Sequence, residues 1–201
     1  FYVSFDNGTT TADFSIRGEK KEILGSKWNF GPGIIGKAVE ISGNGLVYEA
    51  TNNLKRQEGS MSFWIKNINV FSGNNKFDIE SYLFDLSKWW VEYIRLVLAN
   101  DGNLYYEITF TGTSVPTKNF DIVPAYEIFT TPNEWYHIVL TWKEGGNSQV
   151  FVNSMLILNL KNTKVPAELP DVFTIGKGKN KVWIDELMIF DNALTQLEVS
   201  E

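Results

Sequence analysis

The 201-residue sequence has no cysteine and a single histidine, His137. Without thiols there are neither disulfide staples nor thiolate metal sites. One imidazole excludes a zinc site built from several histidines and leaves any nucleophilic triad without evident partners. His137 lies inside an alternating, strand-like segment, where a packed and hydrogen-bonded ring is the expected role. No apolar run is long enough for a membrane span, so membrane insertion is not expected. There is no repeat, low-complexity tract or helical heptad. The formal charge of −6 comes without a basic stripe, which argues against nucleic acid as the partner.

Aromatic residues, by contrast, are plentiful. Seven Trp, eight Tyr and fourteen Phe suit pleated surfaces packed face to face. Charged residues at 21% and apolar residues at 43% give no disorder signature. The chain is expected to form one all-β domain over residues 1–201. Because it opens inside a strand-like segment without an initiator Met, it reads as a module excised from a longer protein.

Short β-like runs recur with turn residues between them, at sandwich spacing. They cover 2–5, 38–41, 46–48, 60–65, 82–86, 92–98, 104–110, 135–142, 149–152, 155–160, 172–176 and 182–190. Asn100-Asp101-Gly102-Asn103 and Glu144-Gly145-Gly146-Asn147 supply residues that tolerate positive φ and predict hairpins, as does Asn153-Ser154. Segments 67–76, 111–124 and 161–171 read as loops. The only helix expected is a short turn at 194–199, with Thr195 as cap and Glu198 completing a capping box.

Two groups of residues carry possible chemistry. In 182–190 a strict alternation puts Asp185 with Trp183, Leu187 and Ile189, and Glu186 with Ile184 and Met188. At least one carboxylate therefore lies among apolar neighbours. It needs a base, several backbone N–H donors or a hard cation. The second group is Trp89-Trp90, adjacent indoles that point to opposite faces of a strand. Trp89 then shares a face with Val91, Tyr93 and Arg95, while Trp90 lies with Glu92, Ile94 and Leu96. The first face suits a sugar, whose apolar C–H surface stacks on an indole while its hydroxyls meet Arg95 or Asp85. The other reading is that these rings fill the core or its rim. Trp64, Trp135, Trp142 and Trp183 sit inside strand motifs and are assigned to packing. Trp28 and Tyr126 lie in loops, lining either a ligand surface or the sandwich rim.

Five segments in order carry a family resemblance. They are Phe5-Asp6, Gly33-Ile34-Ile35-Gly36-Lys37-Ala38, Gly59 to Ile65, Trp135-Tyr136-His137 with the following hairpin, and the closing run Val182 to Glu198. Together they resemble laminin G-like jelly rolls of the concanavalin A-like lectin and glucanase superfamily. The resemblance implies an antiparallel two-sheet β-sandwich with its first and last strands adjacent. It also implies an extracellular or cell-surface setting and a structural Ca²⁺ near the join of those strands, which would bring Asp6 towards Asp185. Sandwich glucanases carry Glu-x-Asp-x-x-Glu on one strand, and the residues after Asp185-Glu186 do not supply it. The expectation is therefore no hydrolytic activity. The preferred function is a non-catalytic carbohydrate-binding module for a polysaccharide or glycan, working beside other domains of its parent protein. The alternative is a cell-surface adhesion or protein-interaction domain.

Overall fold

A computed structural model describes residues 1–16, 18, 21–22, 27–66, 81–88, 91–111, 117–131 and 133–201. The strands in chain order are β1 Tyr2–Val3, β2 Asn29–Pro32, β3 Lys37–Gly43, β4 Leu46–Glu49, β5 Glu58–Lys66, β6 Ser81–Lys88 and β7 Glu92–Leu98. They continue with β8 Asn103–Phe110, β9 Thr117–Pro124, β10 Trp135–Lys143, β11 Ser148–Val152, β12 Met155–Leu160 and β13 Val172–Phe190. Two short helices, α1 Ala125–Ile128 and α2 Gln196–Ser200, complete the described elements.

The strands form an antiparallel two-sheet sandwich. Sheet A runs β12-β11-β10-β5-β13, with β1 and β3 on the far side of β13 and β2 outside β3. Sheet B runs β4-β13-β6-β7-β8-β9. The 19-residue β13 belongs to both: its first part pairs with β4 and β6, its second with β1, β3 and β5. As the sequence predicts, the first and last strands pair, Tyr2 opposite Met188 and Val3 opposite Leu187.

Alternation decides what each sheet buries. Phe63, Ile65, Ile138, Leu140 and Trp142 of sheet A are fully buried against Phe84, Ile94, Leu96, Tyr106 and Ile108 of sheet B. The Tyr106 hydroxyl donates to Thr141 O at 2.6 Å, satisfying a phenol in the core and tying the sheets together. At the open side Asp121 Oδ2 of β9 accepts from Asn159 N of β12 at 2.8 Å, so one edge strand caps the other.

The predicted hairpins form. Asn153 and Ser154 both take positive φ, 49° and 64°, which fits a tight turn between twisted strands. Thr195 caps α2 with the expected Glu198 reciprocal bond. Four expectations are corrected. Residues 117–124 form β9 rather than part of a loop, because Phe120 and Ile122 continue the period-2 pattern through their polar neighbours. The predicted strands 172–176 and 182–190 are one, since Gly176 at φ +69° lets the chain bend from one sheet to the other without ending. α1 was not anticipated. Finally, Glu186 at φ +49° is an extra residue in a bulge between Asp185 and Met188. The bulge turns Leu187 and Ile189 into the core with Ile184, so they do not share a face with Asp185.

Candidate functional site

The outer face of sheet B gathers polar and aromatic side chains. Register sets Asp85 of β6, Arg95 of β7, Glu107 of β8 and Phe120 of β9 in one row. Glu107 is 5% exposed and accepts from Arg95 Nε and from Lys118 Nζ, each at 2.5 Å. Burial opposes the Arg95 charge, but the hydrogen bond and charge of Glu107 more than offset it, and the guanidinium pKa is raised. The guanidinium carbon also lies 3.9 Å from the centre of the Tyr93 ring and 5.7 Å from that of Tyr82.

Beside this cluster is a recess of about 360 Å³, bounded by Arg95, Tyr105, Glu107 and Lys118 and by Asn100 and Asp101 of the β7–β8 turn. Tyr105 donates to Asp101 Oδ2 at 2.6 Å, and its ring lies 6.4 Å from Phe120, which is 53% exposed. Isolated exposed apolar residues are ordinary, but here Phe120 and Ile122 lie on one strand beside locked polar groups.

Three of the sequence-selected residues meet on this face. Asp85 accepts from Ser87 Oγ and sits opposite Arg95 in register. Tyr93 points the same way but is largely covered by the guanidinium. Trp89 and Trp90 lie outside the described residues. Tyr105, Lys118 and Phe120 were not selected, and the Phe120-x-Ile122 alternation was the available signal. Tyr126 is exposed on α1. Trp28 packs against the core and donates to Glu22 Oε2 at 2.6 Å.

Asp6 and Asp185 converge on a single loop. Asp185 is fully buried; its Oδ2 accepts from Ile34 N at 2.8 Å and Ile35 N at 3.3 Å, and its Oδ1 from Glu186 N at 3.0 Å. Exposed Asp6 accepts from Lys37 N at 2.7 Å through Oδ1. The carboxylates thus hold the Gly33 to Lys37 turn from two sides. A Cβ at Gly33 would collide with Asp185 Oδ2, and one at Gly36 with Asp6 Oδ1. Gly36 also needs its positive φ of 50°.

Ca²⁺ takes roughly six to eight oxygen ligands. Among the described residues no group of three or more His, Cys, Asp or Glu could hold a metal, and both Asp185 oxygens already accept from N–H groups. Backbone N–H groups answer the Asp185 charge. They do so incompletely: burial raises its pKa from 3.8 to about 6 against the pull of those hydrogen bonds. Burial also raises Glu186, opposed by the 2.6 Å hydrogen bond from the Tyr2 hydroxyl.

On sheet A, Trp64 and Trp135 are half-buried on the outer face, correcting their assignment to packing, whereas half-buried Trp183 packs as expected, its ring lying over Gly31 of β2 where a Cβ would meet it. Alternation groups residues by face but does not reveal which face is covered. Trp142 alone of the four fills the core, its indole donating to Lys55 O at 2.9 Å. His137 is hydrogen-bonded as expected, with Nε2 2.8 Å from Ser62 Oγ.

A jelly roll with its first and last strands paired is the architecture of the concanavalin A-like sandwiches. The chain belongs to the concanavalin A-like lectin/glucanases superfamily, whose laminin G-like profile matches residues 42–200. No curated protein sequence matches it. Among solved structures it is similar to domain 4 of AbnA, an extracellular GH43 arabinanase from Geobacillus stearothermophilus, in complex with arabinotriose. That match has a TM-score of 0.70 and 22% identity, and covers 99% of this chain and 95% of the other. It is also similar to the ligand-binding domain of botulinum neurotoxin serotype D in complex with N-acetylneuraminic acid, with a TM-score of 0.64, 18% identity and coverage of 86% and 43%. The receptor-binding domain of the botulinum neurotoxin mosaic serotype C/D gives a TM-score of 0.65, 18% identity and coverage of 87% and 43%. The chain spans less than half of each of these toxin domains. At such identities the likeness concerns the fold.

Proposed function

We propose that the chain is a non-catalytic, extracellular carbohydrate-binding module that lays a glycan across the outer face of β6 to β9. The observation that carries this reading is the exposed Phe120 and neighbouring Tyr105 beside the locked Arg95–Glu107–Lys118 cluster. A sugar needs an apolar surface for its C–H face and polar groups whose positions are already fixed, and both occur on this face, Tyr105 within the recess and Phe120 beside it. Glycoside hydrolysis uses two carboxyl groups held across a bond. On this face Glu107 lies between two cations and Asp101 holds Tyr105, an arrangement suited to recognition. The near full-length likeness to an arabinanase domain in complex with arabinotriose supports a polysaccharide ligand and a parent protein with further domains. That enzyme is described as extracellular, and no helix among the described residues is long and apolar enough to cross a membrane.

The proposal includes Trp89 and Trp90, whose chain neighbours Lys88 and Val91 close the β6–β7 hairpin through a 3.3 Å backbone bond. The test is a glycan array containing arabinan and sialylated oligosaccharides, followed by calorimetry. Phe120→Ala, which removes an exposed ring, is expected to keep the parent's melting temperature and lose about fivefold to hundredfold in affinity, by analogy with base stacking on aromatics (~1–3 kcal/mol). If Phe120→Ala, Trp89→Ala and Trp90→Ala all bind like the parent, this face is not the site. If no glycan binds, a protein-interaction domain replaces the proposal.

A further inference from the structure

The outer face of sheet A, on the other side of the sandwich, carries an aromatic arrangement that the proposal above does not use. Register places Trp64 of β5 opposite His137 of β10, and in the next row Trp183, Lys66 and Trp135 lie side by side across β13, β5 and β10. The Trp64 and His137 rings stack with centroids 4.9 Å apart and planes 23° from parallel. Ser62, 94% buried, fixes the imidazole through its 2.8 Å contact with Nε2. Burial lowers the His137 pKa. Lys66 Nζ sits 4.8 Å from the centre of the Trp135 ring. Trp64, His137 and Trp135 border a recess of about 540 Å³, whose other lining residues are Asn153 and Ser154 of the β11–β12 turn and Val199, Ser200 and Glu201 at the end of the chain.

Core filling does not account for this group, because β5 and β10 close the core with Ile65, Ile138 and Leu140 on the other face. We propose that the recess is a second carbohydrate site, receiving one or two sugar rings against Trp64 and Trp135 with their hydroxyls toward Asn153 and Ser154. Its volume lies in the small-ligand range of about 300–1,000 Å³. A stable protein partner would need roughly 800 Å² of contact on each side, and half-buried indoles around a hollow that also holds Asn153, Ser154 and Ser200 suit a small ligand better than so broad a surface. The inference rests on reading the chain as a glycan-binding domain. Two sites on opposite faces would let one domain bridge neighbouring polysaccharide strands, with avidity set by their spacing.

The experiment is NMR titration of isotope-labelled protein with arabinotriose, N-acetylneuraminic acid and cellotriose. The indole N–H signals of Trp64 and Trp135 report on this recess and the amides of β8 and β9 on the other face. The expected result is saturable shifts of both indoles that persist in Phe120→Ala. Affinity at this recess should fall about fivefold to hundredfold in Trp135→Ala, in line with loss of one stacking ring. Should Trp135→Ala fail to fold, Ser200→Trp at the exposed rim blocks the hollow without removing packing, and the same loss is expected. Shifts confined to β8 and β9 would overturn the second site and leave the first. Shifts confined to the indoles would keep the second and remove the first. No shift with any of the three sugars would overturn both for this panel of probes, and concentration-dependent indole shifts without sugar would assign the face to self-association instead.

Discussion

Asp185 and Glu107 are buried to similar depth, 0% and 5% exposed, yet their surroundings answer the charge in opposite ways. Asp185 is met by neutral N–H dipoles from the Gly33 to Lys37 turn and from its own bulge. Glu107 is met by two cations, Arg95 and Lys118. Dipoles replace lost hydration only in part, so Asp185 binds its proton up to about pH 6. The consequence is a division of labour: Asp185 fastens an early loop to the last strand, whereas Glu107 fixes cationic groups on the outer face of sheet B.

Breaking the cationic pair should have the largest effect. Glu107→Ala leaves Arg95, whose side chain is only 18% exposed, without its counter-charge, and removal of one partner of a buried pair costs about 3–5 kcal/mol. Urea denaturation reads this directly, and a loss below about 1 kcal/mol would place the pair with surface bridges. Asp185→Ala strips the acceptor from the Ile34, Ile35 and Glu186 N–H groups, a smaller loss of about 1–3 kcal/mol because the turn is partly open to water.

The pH dependence sharpens the contrast. The folded pKa of Asp185 lies above its ordinary 3.8, so the stability it adds is fully present below about pH 3.8 and is lost as pH rises through about 6. The melting temperature of the parent relative to Asp185→Asn should therefore fall between these values and level off above them. A flat difference would mean that the N–H groups fully replace hydration. The smallest effect expected is from a chelator: with dipoles answering Asp185, the melting temperature should stay where it is. A drop with chelator, reversed by Ca²⁺, would restore a cation beside Asp6 and Asp185.

Much of the architecture could be read from the residues because local rules and tertiary packing agree. Asn100-Asp101-Gly102-Asn103 tolerates the turn its strands need, and Thr195 and Glu198 form their capping box with few outside contacts. Reading failed where tertiary context overrides period. Glu186 looks like one more alternating residue, and only the pairing of β13 with β5 exposes it as the extra one. Phe120 and Ile122 were hidden among Lys118, Asn119 and Asp121, since Lys118 shares the outer face with the two apolar residues and Asn119 and Asp121 share the other with Val123, so neither face of β9 reads as apolar. The pairing of Tyr93 with Arg95 was legible because it required only which residues of one strand share a side, whereas bringing Asp85 beside them needed the register of β6 against β7. Assigning Trp64 and Trp135 required knowing which side faced solvent, and period alone does not contain that.

The continuity of β13 has a consequence for synthesis. Residues 172–190 supply an interior strand to both sheets, and every strand before them is made first. On the ribosome the hairpins β6–β7–β8–β9 and β10–β11–β12 can form from local sequence, but the sandwich cannot close until β13 emerges. Until then, the edges of β5 and β6 that β13 will occupy stay open to pairing with other chains. Cotranslational folding should therefore reach its native, protease-resistant state in one late step, and a nascent chain stalled before Val172 should depend on chaperones to stay soluble.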